Sequence, residues 1–400
     1  MNLVYLNNAS TTQLSQSAIE DFTYAAKKYW ANPSDVSDMG LSSKKIIKDA
    51  QKQIAKSINA EKPSEIVFTS GGSESNNWAI KGYVDRNNVE LVITTAIEHP
   101  SVYNIGHFLI DHGVAVINVP TDEDGIVNVE TLKRMLQNYT AWGTNGKNIL
   151  VSIMFANNEI GTIQPIKEIA EIVHKYNAVL HVDAVQAYMH TSIDVQEMCI
   201  DLMSTSFHKI GGFKNCGFLY IKDGIKLTPL IHGGHQFDSQ RSGTENVPMI
   251  YAMGNLVDKI SPLVYEYENR MDALWHYTVD KILQHNDSNN YEILLNGSST
   301  VRMKNNLNFT FKGINAEMLI ALLELEGIYV SAGSACCSGE KTPSRVLKAI
   351  GLSDEDAFST IRVSFGVETD FNQIDYFVEK LFEVLNGMKM IKEFGDEDGE

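Results

Sequence analysis

Cysteine is scarce: the 400-residue chain has four, Cys199, Cys216, Cys336 and Cys337. They do not form the disulfide framework of a secreted domain, and with no CxxC pair they do not suggest a zinc site. Positive charge is also short. Fifty acidic residues outnumber 33 lysines and arginines, leaving a formal charge of −17. That balance argues against direct nucleic-acid binding and against an anionic membrane surface, both of which want a basic face. No apolar run is long enough to cross a bilayer. The opening MNLVYLNNASTT lacks the basic and apolar regions of a secretory signal. The cytoplasm is the expected location. Internal repeats and low-complexity tracts are absent, and the closing GDEDGE reads as a solvated acidic tail.

What is present is the composition of an ordinary globular protein, 44% apolar and 21% charged, with length enough for one large and one smaller domain. From about residue 65 to 222, short β-rich runs alternate with helical patterns. EIVFTS (65–70), LVITTA (91–96), VAVINVP (114–120), NILVSIMFA (148–156), VLHVDA (179–184), DLMSTS (201–206) and GFLYIK (217–222) read as buried strands. PSVYNIGHFLIDHG (100–113) and PIKEIAEIVHKYN (165–177) read as helices between them. Such alternation predicts an α/β domain with a mostly parallel sheet, whose site residues gather at strand ends. Past residue 250 a long helical stretch (249–284) is expected to break at Pro262. Strand NNLNFTFKG (305–313), helix NAEMLIALLELEG (315–327), the small-residue loop SAGSACCSG (331–339) and strand STIRVSFG (359–366) then suggest an α+β unit.

Lys209 closes the segment DLMSTSFHK, with Ser206 and His208 just before it, and Asp183 and Gln186 close VLHVDAVQ upstream. A lysine able to form a Schiff base and a carboxylate able to keep a pyridinium nitrogen protonated are the two protein groups that pyridoxal phosphate requires. TSGGSESNNWAI (69–80) follows a strand and opens a helix. Its Gly71, Gly72 and Ser73 suit a phosphate at the helix end, although a glycine turn with Ser73 as N-cap reads the same segment without a ligand. His99, just past a strand, is either a loop residue or a ring that stacks on a cofactor and shuttles protons. Asn157 and Asn158 offer ligand hydrogen bonds or a turn. Arg362, in a strand fit for burial, needs a carboxylate from the protein or from a substrate. Thr244 lies in RSGTENVP (241–248), which alone is a polar loop. Cys199 and Cys216 sit among apolar neighbours and read as inert buried thiols. Cys336 and Cys337 lie where small residues suggest a pliable, exposed loop, the setting of a reactive thiol.

Taken together these segments resemble the cysteine desulfurases of the NifS/IscS type, in the class V aminotransferase family of pyridoxal-phosphate fold type I. TSGGSESNN, EH, NNEIG, HVDAVQ, SxxHK, RSGTEN and SAGSAC occur in that family's order and approximate spacing. The resemblance implies that Lys209 carries pyridoxal phosphate, Asp183 pairs with its pyridinium nitrogen, Gln186 touches its phenolic oxygen and His99 stacks on its ring. Gly72, Ser73, Ser206 and His208 would hold the phosphate, with Thr244 reaching across from the second subunit of a homodimer. Asn157 and Arg362 would take the substrate carboxylate side. Cys336 would accept sulfur from L-cysteine as a persulfide and pass it to a scaffold or other acceptor protein. On this reading a large domain spans residues 15–259, and a small α+β domain comprises 1–14 and 260–400. The chain departs from the family pattern at Asn7, where an acid is usual, and at GGFKNCG (211–217), GGHQF (233–237) and NPSDVSDMG (32–40).

Overall fold

The β-rich runs assemble into one seven-stranded sheet in the computed structural model, which describes residues 3–143, 145–288, 291–332 and 342–397. A short strand β1 (Val4–Tyr5) precedes helices α1 (Gln16–Lys28) and α2 (Asp38–Ser57). Then β2 (Ile66–Thr69), α3 (Gly72–Asn87), β3 (Leu91–Thr95), α4 (Pro100–Asp111), β4 (Ala115–Val119), α5 (Val129–Ala141), β5 (Ile149–Met154), α6 (Ile166–Lys175) and β6 (Val179–Asp183) alternate. After β7 (Leu202–Ser204) and β8 (Gly217–Ile221) come α7 (Val247–Ile260), α8 (Val264–Leu283) and a short α9 (His285–Ser288). The remainder is β9 (Ile293–Leu295), β10 (Asn306–Phe311), α10 (Ala316–Leu325), β11 (Ile328–Tyr329), α11 (Arg345–Ala349), α12 (Asp354–Phe358), β12 (Thr360–Ser364) and α13 (Phe371–Glu397).

The sheet order is β2-β8-β7-β6-β5-β3-β4. Its neighbours pair in parallel except at β8, which runs against both β2 and β7. The period of two along each strand divides the side chains between two apolar layers. Ile66, Phe68, Leu91, Ile93, Ile149, Val151 and Ile153 face one layer, with α2, α5, α6 and α7. Val67, Val92 and Leu150 face the other, with α3 and α4. The packing face of α6 follows from its sequence: Ile166, Ile169, Ala170 and Val173 repeat at helical spacing and are all buried.

A second core gathers Val4 and Leu6 with α8, α10, α13 and the strands β10, β11 and β12. Here β1 pairs in parallel with β11, and β10 lies between β9 and β12 in an antiparallel sheet. The break at Pro262 takes the form of a single turn, Ser261–Leu263, between α7 and α8.

Three local expectations are corrected. Among the supposed buried strands, β4 is the sheet edge, with Ala115 and Asn118 exposed; among the described residues it pairs with β3 alone. The cap of α3 is Gly71 (φ 133°), not Ser73, because the chain enters the helix through a conformation that favours glycine. Cys216 is buried as expected, but Cys199 is half-buried, its thiol lying against the Gln196 carbonyl.

Candidate active site

Parallel strands β2, β3, β5, β6 and β7 all point their C-terminal ends the same way, and the residues of interest follow those ends, where ligands bind in open α/β sheets. β7 leads into a single turn, Phe207–Lys209. Phe207 is fully buried, its backbone N–H bonds the Cys216 carbonyl, and its ring packs near Phe218 and Tyr188. That anchor fixes the turn and turns Lys209 inward. Lys209 Nζ, 9% exposed, donates to the Ala9 and Ser10 carbonyls at 2.6 and 2.7 Å. Burial, helped by the Arg362 charge and opposed by Asp183, pushes this amine down to about 7. A neutral amine has two hydrogens, enough for both carbonyls, and keeps a free lone pair.

Asp183 ends β6. Its Oδ2 accepts from Asn76 Nδ2 at 2.7 Å and its Oδ1 from the Val185 N–H at 3.0 Å. Gln186 Nε2 donates to Ala9 O, the carbonyl that Lys209 also uses, at 3.0 Å. His99 caps α4, Nδ1 accepting the Ser101 N–H at 3.1 Å. The ring is open to solvent on one side, yet the protein mass around it lowers its pKa; Asp183 opposes this, while Lys209 and Arg345 add to it. His208 Nδ1 lies 3.2 Å from Thr11 Oγ1, and burial drives it down to about 4.

At the start of α3, a Cβ on Gly72 would stand 2.6 Å from Val185 Cγ2, so the loop and the β6 end pack too closely for any side chain there. Ser206 is buried and its side chain makes no capping bond; Ser73 is exposed. First-turn N–H groups and two hydroxyls beside Lys209 and Asp183 are a donor set that fits a pyridine phosphate. Thr244 is exposed on the loop after β8, with no hydrogen bond to these residues among the described ones.

Arg362, on β12, is 2% exposed. Nη1 donates to Asn158 O at 2.9 Å, and Nη2 to Asn7 Oδ1 at 2.9 Å and Ser10 Oγ at 2.7 Å, while Nε is buried without a partner. Burial lowers this guanidinium to about 10, against the pull of Glu159. No carboxylate forms an ion pair with it among the described residues, so the bland expectation of a structural pair is not what the site contains. Asn157 is engaged within its own loop. Its Nδ2 donates to Ile97 O and Met154 Sδ, and its Oδ1 accepts the Glu159 and Ile160 N–H groups, so its side chain is committed to shaping its own loop.

Cys336 and Cys337 lie outside the described residues. The flanks of their segment are anchored at the site: Ser331 exchanges backbone hydrogen bonds with Arg362, and Ser344 Oγ donates to Glu159 Oε2 at 2.5 Å. Arg345 stacks 3.8 Å from the Tyr103 ring centroid and donates to the carbonyls of Ala96 and Glu98. A cavity of about 540 Å³ between α2 and the loop of residues 235–245 holds none of the named site residues.

Sequence reading missed Asn76, Glu98, Ser101, Glu159 and Arg345. Asn76, Glu98 and Glu159 lie within TSGGSESNN, EH and NNEIG, and their burial marks them. Glu74 was also missed: it forms a two-point ion pair with Arg241, at 2.9 and 3.2 Å, pinning the 241–245 loop to the start of α3.

A family model described as aminotransferase class V matches residues 4–377. A cysteine desulfurase IscS from Clostridium botulinum (strain Hall) is 40% identical over 386 residues, covering 96% of this chain and 94% of its own. Another, from Methanosarcina thermophila, is 39% identical over 388 residues, with 96% and 93% covered. Among solved structures, a NifS-like protein superposes with TM-score 0.86 at 31% identity, over 96% of this chain and 100% of its own. SspA in complex with cysteine gives 0.75 at 31% identity, over 90% and 98%.

Proposed function

The chain belongs to the aminotransferase class V family, and on that premise we propose that it is a pyridoxal-phosphate-dependent cysteine desulfurase. It converts L-cysteine to L-alanine and receives the sulfur on Cys336. One observation carries the reading. Lys209, held near neutrality by burial, sits in the field of Arg362, a buried guanidinium with no bonded carboxylate among the described residues. An amine ready to act as nucleophile or base, beside a cation ready for a carboxylate, is what an α-amino acid substrate needs. The relative solved in complex with cysteine supports this substrate.

When bound, pyridoxal phosphate supplies an electron sink next to the substrate's Cα. Lys209 would hold that group, and its Nζ would take the proton from the substrate's Cα. The Asp183 carboxylate would keep a proton on the ring nitrogen, and Gln186 would donate to the ring oxygen. Gly72, Ser73, Ser206 and His208 would hold the phosphate, together with the partner subunit's Thr244. Arg362 orients the substrate carboxylate. Asn157 supports that corner by holding its loop rather than by donating to the ligand. The Cys336 thiolate attacks the substrate sulfur. An S–S bond forms on Cys336, the Cβ–S bond breaks, and its electron pair stays on carbon, where a proton completes alanine. The two sulfurs together give up the two electrons that reduce Cβ, so no external oxidant enters.

The enzyme works as a homodimer and passes its persulfide to an acceptor or scaffold protein. Its division into residues 15–259 and residues 1–14 with 260–400 is supported by the second apolar core, which draws only on the latter ranges. Among the described residues no helix is long and apolar enough to cross a membrane.

Two variants test the chemistry. Cys336→Ala should keep the visible absorbance of the bound cofactor while losing alanine and persulfide formation. Lys209→Ala should lose both that absorbance and turnover. Full activity in the Cys336→Ala/Cys337→Ala double variant would remove the reading.

A further inference from the structure

Four side chains between β6 and α4 form a hydrogen-bond series with a fixed direction. A carboxylate only accepts, so the Asn76 amide must turn its Nδ2 toward Asp183 Oδ2, at 2.7 Å. The same nitrogen donates its second hydrogen to Ser101 Oγ, at 2.9 Å. Ser101 Oγ, accepting there, lies 2.7 Å from His99 Nδ1, and its O–H donates to that nitrogen because the Ser101 backbone N–H, which can only donate, meets it too. The Ser101 backbone N–H reaches the same Nδ1 at 3.1 Å. The amide holds its orientation even though Asn76 Oδ1 is buried with no partner. Flipping it would set that oxygen against the Asp183 carboxylate.

We infer that Asn76 and Ser101 are positioning residues that carry the orientation of the Asp183 charge to His99 and hold its ring neutral with the proton on Nε2. Two donors meet at Nδ1, so a hydrogen on that atom would oppose both. The N-terminus of α4, whose first turn supplies one of them, disfavours a positive ring as well. The charged and titratable groups facing the ring are Asp183 at the end of β6, Lys209 and His208 after β7, and Arg345 on α11. Burial, with the Lys209 and Arg345 charges, favours the same neutral state against Asp183.

The consequence for chemistry is that His99 presents an N–H donor to whatever it faces, not a lone pair. That consequence rests on the desulfurase reading; the tautomer does not. The test therefore reads the ring directly, on holoenzyme with ¹⁵N-labelled histidine, by two-bond ¹H–¹⁵N correlation near neutral pH. His99→Gln provides the assignment.

The expected wild-type pattern is a protonated Nε2 and an unprotonated Nδ1, retained in Ser101→Thr, which keeps the hydroxyl. In Asn76→Ala the Ser101 hydroxyl loses the donor that holds its orientation and can turn its O–H away from Nδ1. A population protonated at Nδ1 should then appear, and the ring's titration midpoint should rise by about one pH unit, the worth of one net hydrogen bond. Ser101→Ala should raise the midpoint similarly, and it keeps the inference testable if Asn76→Ala does not fold. A wild-type ring protonated at Nδ1, or folded Asn76→Ala or Ser101→Ala with the wild-type pattern and midpoint, would overturn the inference. Wild-type holoenzyme with this tautomer but no alanine or persulfide formed from L-cysteine would count against the functional reading alone.

Discussion

Lys209 and Arg362 show how the site's residues act on each other. Lysine titrates ordinarily at 10.5, and here burial brings the amine to about 7, with Arg362 contributing in the same direction. The charge of Arg362 is undiminished by any bonded carboxylate among the described residues, because its partners are Asn7 Oδ1, Ser10 Oγ and the Asn158 carbonyl. An amide at Asn7 accepts a hydrogen bond without cancelling the cation, which leaves that cation free to bind a substrate carboxylate. The sign of the pH effect follows: apo-enzyme should take up pyridoxal phosphate at a rate that rises through about pH 7, as Lys209 deprotonates. Arg362→Met should move that rise to higher pH. A loading rate that climbs only near the ordinary lysine range, or that is indifferent to Arg362, would contradict this. In the sequence, Asn7 was visible only as a departure from a family pattern. Its partner is 355 positions away, and no local signal connects the two. Asn157 poses the opposite difficulty. An asparagine after a buried strand suits a ligand or a turn equally, and only its four internal bonds decide for the turn.

Elements set where those residues stand. The strands were legible because apolar β-branched runs bounded by polar turns have few alternatives. Their order in the sheet was not, and neither was the exposed edge at β4, since a run of apolar residues does not state its neighbours. Close approach between elements was also hidden. Gly217 opens β8 against the phosphate loop, and a Cβ there would lie 2.5 Å from the Thr205 carbonyl oxygen and 2.7 Å from Gly71 Cα. Both obstacles are backbone and cannot swing aside. Gly217→Ala should therefore cost about 1–3 kcal/mol of stability and weaken cofactor binding by displacing Gly71. Gly106→Ala, within α4 and 3.4 Å from Val116 Cγ1, should instead be neutral or gain up to about 1 kcal/mol. Thermal unfolding with and without pyridoxal phosphate checks the pair; equal effects from both variants would contradict the packing account.

Across the whole molecule, two apolar cores meet at the site and are joined by polar as well as apolar contacts. Ile97, Met154 and Ile160 pack with Val346, Leu347 and Ile350. Arg302, 4% exposed, binds four carbonyls, those of Asn296, Ser298 and Asn306 on its own side and Ile160 on the sheet side. Arg302→Leu would leave those oxygens buried without their donor. It should destabilise the protein by about 3 kcal/mol or more, read as a lowered unfolding midpoint; an unchanged midpoint would mean that the junction does not depend on it. The sequence disclosed the two textures of the chain but not this junction, because the junction is built from carbonyls, which every residue has. The central claim is chemical and can be tested on the intact wild-type protein. With L-cysteine alone, holoenzyme should form alanine and protein-bound persulfide in equal amounts up to one per Cys336, then continue to release alanine once a reductant or sulfur acceptor is added. Cofactor absorbance that responds to L-cysteine while neither alanine nor persulfide appears, with or without an acceptor, would contradict it.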